Sequence, residues 1–167
     1  MSEMNATRGS VHWLWLAVAI VMVDQGSKLL AEQLLIAHEP LAVFPSFNLY
    51  LTYNTGAAFS FLREAGGWQR WLFATLSIGV SAFIVVWLRR IPADHRWLAC
   101  ALSLVLGGAV GNLIDRVFRS DGGVVDFIDL YYGSWHWPAF NAADSAISVG
   151  AVMLVWSALR GETSSES

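Results

Sequence analysis

Residues 71 to 88 read Trp71-Leu72-Phe73-Ala74-Thr75-Leu76-Ser77-Ile78-Gly79-Val80-Ser81-Ala82-Phe83-Ile84-Val85-Val86-Trp87-Leu88, without one Lys, Arg, Asp, Glu or His. At about 1.5 Å of rise per residue, a helix of this length reaches roughly the thickness of a bilayer core, so the stretch predicts a membrane span. Trp97 to Ile114 is equally free of charge and predicts another. Two less pure spans flank them, at about residues 12–33 and 141–159; the first carries Asp24 and Lys28, the last opens beside Asp144. Arg8 ahead of an apolar run with Ala17-Val18-Ala19 resembles a secretory leader, but helix-compatible sequence continues past that point through Gln33.

The whole chain agrees with lipid as its solvent. Of its 167 residues 56% are hydrophobic and 14% charged, there are nine Trp, and mean hydropathy is positive. A net charge of -3 with no Lys/Arg-rich run excludes an electrostatic footprint for nucleic acid. A single cysteine, Cys100, allows neither an internal disulfide nor a thiolate cluster. The expected fold class is therefore membrane all-α: one membrane domain of four transmembrane helices, with a small extracytoplasmic β-sheet and loop region on the outer membrane face.

Orientation follows from Lys/Arg asymmetry. Arg8 precedes the first span, Arg89, Arg90 and Arg96 join the second and third, and Arg160 follows the fourth, against Arg63, Arg70 and Arg119 on the other side. Both termini are then cytoplasmic, and segments of about 34–70 and 117–140 lie outside. Trp13, Trp68, Trp71, Trp87, Trp97 and Trp156 fall near span ends, where indoles favour the interface. In the outer segments, Phe47, Leu49, Leu51 and Tyr53 alternate with polar neighbours, which predicts a half-buried strand ending at the Asn54-Thr55-Gly56 turn. Gly123 to Leu130 also favours a strand, and Asp121, Asp126 and Asp129 lie on or beside it. The polar tail, 161–167, is expected to be disordered.

Ionisable groups at membrane depth are costly and call for a partner or a task. Asp24 and Lys28, four apart with the acid first, read as a structural ion pair ahead of a catalytic one. Asn112, Asp115 and Arg116 close the third span, where Asp115 and Arg116 are expected at the solvated interface. The small residues Gly107, Gly108, Ala109 and Gly111 before them predict close helix packing.

Asp126 and Asp144 stand 18 residues apart, but Gly133 and Pro138 break any continuous helix between them. A bend there brings Asp126 back towards Asp144. Apolar neighbours desolvate both carboxyls, and two such groups at close range tend to share one proton, a state suited to activating water. Spacing alone equally fits a solvated turn and an ordinary acid in a helix's first turn. His136 with nearby carboxylates matches no metal-ligand spacing, and no Gly-x-Ser-x-Gly elbow occurs. No metal or cofactor is expected.

Taken in order, five stretches resemble the family of lipoprotein signal peptidases, or signal peptidase II: Asp24-Gln25-Gly26-Ser27-Lys28, Asn54-Thr55-Gly56-Ala57-Ala58-Phe59, the run Gly107 to Arg116, Val125-Asp126-Phe127, and Phe140-Asn141-Ala142-Ala143-Asp144. The resemblance spans nearly the whole chain. It implies an aspartic endopeptidase of the bacterial cytoplasmic (inner) membrane with Asp126 and Asp144 as its dyad near the outer face. It further implies a prolipoprotein substrate, cut before a lipobox cysteine that already carries diacylglycerol. Asn54, Gly56, Asn112, Arg116 and Asn141 are then the residues that position substrate or support the dyad, although Asn141 reads equally as the cap of the fourth span. Lipid-modified prolipoproteins and membrane lipid are the expected partners, and the chain is expected to be a monomer. The competing class is a small transporter or proton-relay subunit using Asp24, Lys28, Asp115, Arg116 and Asp144. It requires charge distributed along the membrane normal.

Overall fold

A computed structural model describes residues 9–56 and 67–160. Arg8, Arg63, the Ala57-Ala58-Phe59 part of the second motif and the tail 161–167 lie outside the described residues. Four helices are long and apolar enough to cross a membrane: α1 (Leu14–Leu34, entered through a 3-10 turn at Ser10–Trp13), α2 (Trp68–Arg90), α3 (Arg96–Phe118) and α4 (Ala142–Leu159). Helices α2 and α3 extend beyond the charge-free runs because Arg89, Arg90, Arg96 and Arg116 are accommodated in their terminal turns.

Over half of α3 is buried, against about a fifth of each other span, so α3 is the centre on which the other three pack. Its small residues make this possible. A Cβ added at Gly107 would meet Ile20 and the Ala17 carbonyl of α1, and one at Gly108 would meet the Ala143 carbonyl and Ile147 of α4. From α4, Gly150 answers by lying against Ala101 and Val105. Away from the sheet, Ala17, Ile84, Leu88, Ile91, Ala99, Leu102 and Leu106 form the apolar core. Outward-facing Met22, Phe83 and Val152 stay exposed, as lipid contact requires, and so do Trp68, Trp71, Trp87, Trp97 and Trp156 at the span ends, whereas Trp13 packs against the core.

The connections at the other end form one antiparallel sheet in the order β1 (Pro40–Phe44), β2 (Phe47–Asn54), β3 (Val124–Tyr132), β4 (Trp135–His136). The two expected strands are the central pair, while the edge strands β1 and β4 carried no periodic signal. Gly133, at φ 62°, makes the tight β3–β4 turn, and an isolated bridge joins Ile128 to Phe140 on the way to α4.

Regular alternation does not survive along β2. Leu49 pairs with Ile128 but Thr52 pairs with Asp126, so two β2 residues oppose one on β3, a bulge. Asn48 and Leu51, three apart, are consequently both buried. Leu51 and Val125 pack on Ala31 of α1 with Tyr53 and Phe127, leaving Asn54, Val124, Asp126 and Leu130 to face the cavity beside α3 and α4.

Candidate active site

A cavity of about 790 Å³ lies where β3 meets the helices, walled by α2, α3 and α4 and by the Trp137–Phe140 segment. Most of its lining is apolar, including Phe73, Leu76 and Val80 of α2 and Ile147 and Val149 of α4. Its charged and amide side chains gather at the sheet end: Asn54, Asn112, Arg116, Asp126 and Asp144. The fold-back inferred from Gly133 and Pro138 is present.

Each carboxylate is placed by ordinary local structure. Asp126 sits on β3 opposite Thr52 and is buried. Asp144 is the third residue of α4, and its cap is Asn141: Asn141 Oδ1 accepts the Asp144 N–H at 2.8 Å while Asp144 Oδ2 accepts the Asn141 N–H at 3.3 Å. This is a capping box, which satisfies two otherwise orphaned donors at a helix start. The cap expected at Asn141 is therefore present. From the same amide, Nδ2 donates to Asp126 Oδ1 at 2.7 Å, to the Val125 carbonyl at 3.1 Å and to Asn112 Oδ1 at 3.2 Å.

Asn112 of α3 donates from Nδ2 to Asp144 Oδ1 at 2.8 Å. Asn54 completes the ring: it hydrogen-bonds Asp126 and accepts the Gly56 N–H at 3.0 Å, and the Gly56 carbonyl takes a longer contact, 3.4 Å, from the Arg116 guanidinium. Arg116 also reaches the Asn112 carbonyl at 3.4 Å and lies over the Phe73 ring, so among the described residues its other N–H groups are left to face the cavity. Burial, and then repulsion from Asp144, pushes the Asp126 carboxyl up to about 7, against the pull of its Asn54 and Asn141 partners.

Asp24 and Lys28 form the expected ion pair at 2.8 Å, and Asp115 joins it at 2.8 Å from the same ammonium. The expectation of a solvated Asp115 is thus overturned: it is buried, and besides Lys28 it holds Gln25 Nε2 at 3.2 Å, the Val125 N–H at 3.1 Å and Arg119 at 3.4 Å. Asp24 in turn accepts the Ala143 N–H at 2.9 Å, which ties α1 to the first turn of α4. His136 pairs with Asp129 at 2.9 Å on the far face of the sheet, outside the cavity, and among the described residues no cluster could hold a metal ion.

Two contributors escaped the sequence reading. Gln25 bridges Asp24 at 3.1 Å, the Gly111 carbonyl at 3.1 Å and Asp115; its place beside Asp24 in a polar island was the available signal. Arg70 donates to the Arg116, Val117 and Ser120 carbonyls at 2.6, 2.9 and 3.1 Å and closes the end of α3, which no local pattern announced. Every ionisable group of the cavity and its ion cluster lies at the sheet end of the bundle, an arrangement unlike a relay through the bilayer.

Comparison with known proteins agrees with this geometry. Residues 16–160 match the family model described as Signal peptidase (SPase) II. A lipoprotein signal peptidase of Pseudomonas syringae pv. tomato is 52% identical over 164 residues, 97% of this chain and 94% of that protein. One from Pseudomonas fluorescens is 51% identical over 160 residues, 95% and 93% of the two chains. A solved bacterial membrane enzyme superposes with a TM-score of 0.82 at 27% identity, covering 98% of this chain and 97% of its own.

Proposed function

Since the chain belongs to the signal peptidase II family of aspartic peptidases, we propose that Asp126 and Asp144 are the catalytic pair and that the cavity they share receives a lipid-modified prolipoprotein. The observation that carries this assignment is the single side chain of Asn141, which touches both acids and so fixes them on one site. The pair holds one proton between them. Its ionised member takes a proton from a water, whose oxygen attacks the scissile carbonyl carbon. Its protonated member gives its proton to the carbonyl oxygen as that carbon becomes tetrahedral. Collapse of the tetrahedral diol breaks the C–N bond: the amine leaves with the proton that the first acid took from water, a diol hydroxyl returns its proton to the other acid, and the shared-proton state returns.

The rest of the lining suits such a substrate. Phe73, Leu76, Val80 and Ile147 offer an apolar wall to a signal segment and to acyl chains, and Arg116, Asn54 and Gly56 offer polar contacts to the peptide beside the acids. The bond cut is the one before the diacylglyceryl-modified cysteine. The chain works as one monomeric membrane domain of the bacterial cytoplasmic membrane. The cluster of Arg89, Arg90, Arg96 and Arg160 at one end supports this orientation, with both termini in the cytoplasm and the sheet with its acids at the outer face.

Purified protein incubated with a diacylglyceryl-modified precursor and, separately, with its unlipidated form tests this reading. Cleavage of the modified precursor is expected, and it should vanish in Asp126→Asn and in Asp144→Asn while both variants still insert in membranes. Normal turnover by either variant would remove the assignment, and preference for the unlipidated form would remove the substrate.

A further inference from the structure

Lys28 is fully buried, and its ammonium has three N–H donors and no acceptor. All three are used: on Asp24 Oδ2 at 2.8 Å, Asp115 Oδ2 at 2.8 Å and Asn112 Oδ1 at 2.9 Å. The third contact differs in kind from the other two, since an ion pair needs only its carboxylates, whereas a side-chain amide has two unlike ends. A donor-only group at 2.9 Å requires the oxygen end of Asn112 to face it. Nδ2 must then point the other way, and there it meets Asp144 Oδ1 at 2.8 Å. Asn141 Nδ2, a second donor onto Asn112 Oδ1 at 3.2 Å, demands the same orientation. Reversing the amide would set its NH2 against an ammonium and its oxygen against a carboxylate.

We propose that Lys28 is a positioning residue for the peptidase site: through the amide of Asn112 it fixes a hydrogen-bond donor on Asp144, and the α1–α3 ion cluster thereby serves catalysis as well as packing. This rests on the assignment of Asp144 to the catalytic pair. The path crosses three helices, from Lys28 on α1 through Asn112 on α3 to Asp144 on α4. Both ion-pair partners of Lys28 are anchored elsewhere: Asp24 by the Ala143 N–H, Asp115 by the Val125 N–H and Arg119. The ammonium is therefore held in place without help from Asn112, as an orienting group must be.

The test is a mutant cycle read in kcat and KM on the lipid-modified precursor. Asp24→Asn with Lys28→Met removes the donor and leaves the net charge of the cluster unchanged, while Asp115 keeps Arg119, Gln25 and the Val125 N–H. The double variant is expected to lose about 10²-fold in kcat, the order that a misplaced catalytic group costs, with KM little changed. Asn112→Leu should lose as much. Combining the two should cost little more than either, because both break one path.

Wild-type kcat in the double variant, or losses that multiply when combined, would overturn the proposal. Should the double variant fail to fold, the wild-type protein still answers by NMR of its side-chain amides. The Asn112 NH2 pair, assigned by its disappearance in Asn112→Leu, is expected as one exchange-protected pair that shifts in Asp144→Asn. A pair averaging two orientations would overturn the proposal equally. Asp126→Asn and Asp144→Asn run alongside: turnover in either removes the catalytic pair itself, whereas their inactivity beside a fully active double variant removes only the role of Lys28.

Discussion

Asn141 and Asp126 meet at 2.7 Å, Nδ2 to Oδ1, and the contact is directional because the opposite end of the same amide caps the Asp144 N–H at 2.8 Å. A helix cap is a common device of modest energy. Here it is also the piece that holds a strand acid against a helix acid, so folding α4 and assembling the site are one event.

The two roles separate by substitution. Asn141→Ser keeps a side-chain oxygen for the Asp144 N–H and loses the donor to Asp126, whereas Asn141→Ala loses both. Cap loss costs about 1 kcal/mol, so the Ala variant should be the less stable of the two by that order. Both should be comparably impaired in cleavage. Thermal melts in detergent and turnover of the lipid-modified precursor decide it; a Ser variant with wild-type turnover would show that the bridge to Asp126 is dispensable.

The Asp126 carboxyl, pushed up to about 7 chiefly by burial, sets a pH dependence with a definite sign. Folded protein keeps this proton up to about 7, whereas the unfolded chain releases it near 3.8, the ordinary value for an aspartate. Between those values the folded state binds more protons, so the contribution to stability is complete below the lower value and is lost as pH rises through the upper one. Asp126→Asn cannot lose it. Its melting temperature should therefore gain on wild type as pH is raised from about 4 to about 8, the interval of that linkage. A constant difference across that range would mean that Asp126 ionises normally. Wild-type kcat should also fall on the alkaline side as the shared proton leaves, with the midpoint belonging to the pair.

How much of this was legible in the sequence depended on the range of the interactions involved. Spans such as Trp71 to Leu88 are written in composition alone, because lipid tolerates no unpaired charge along their length. The Asp24–Lys28 pair is likewise local, four residues apart on one helix. Asp115 could not be placed that way: its partners come from α1, from β3 and from the turn beyond α3, and only tertiary structure turns an interfacial acid into a buried one. The β2 bulge hides for a similar reason, since alternation from Phe47 to Tyr53 reads as regular until pairing with β3 skips a residue. The acids themselves were visible only as members of ordered motifs; their spacing of 18 fitted several structures equally well.

Packing of α3 against α4 makes the site sensitive to a single methyl group. At Gly108 an added Cβ would run into the Ala143 carbonyl and lie 2.6 Å from Ile147 Cγ1, both on the helix that carries Asp144. At Gly79 on α2 nothing lies within 4 Å. Gly108→Ala should push α4 outward, lowering the melting temperature and cutting kcat by about 10²-fold, the order that a displaced catalytic group costs. Gly79→Ala should be neutral or stabilising by up to about 1 kcal/mol, as in a helix interior. Equal behaviour of the two would mean that helix spacing does not control the pair.

Arg70 is the test of whether the end of α3 must be held for Arg116 to work. Its guanidinium serves the carbonyls of Arg116, Val117 and Ser120 from a single planar fork, and it rests against Gly122, whose φ of 68° and lack of a Cβ admit it. A lysine brings the charge without the fork and cannot reach three divergent acceptors in that geometry. Charge-assisted bonds of this kind contribute about 1.5 to 3 kcal/mol when sheltered, and two of these three are exposed, so the lower figure applies. Arg70→Lys should then speed amide hydrogen exchange in the last turn of α3 by about tenfold. Cleavage should fall more modestly than in Arg116→Lys, because Arg70 touches the helix end while Arg116 lines the cavity. Hydrogen exchange at Val117 to Arg119 that matches wild type would show that α3 closes without its clasp, and Arg116 would then be held by its contacts to Phe73, Gly56 and the Asn112 carbonyl.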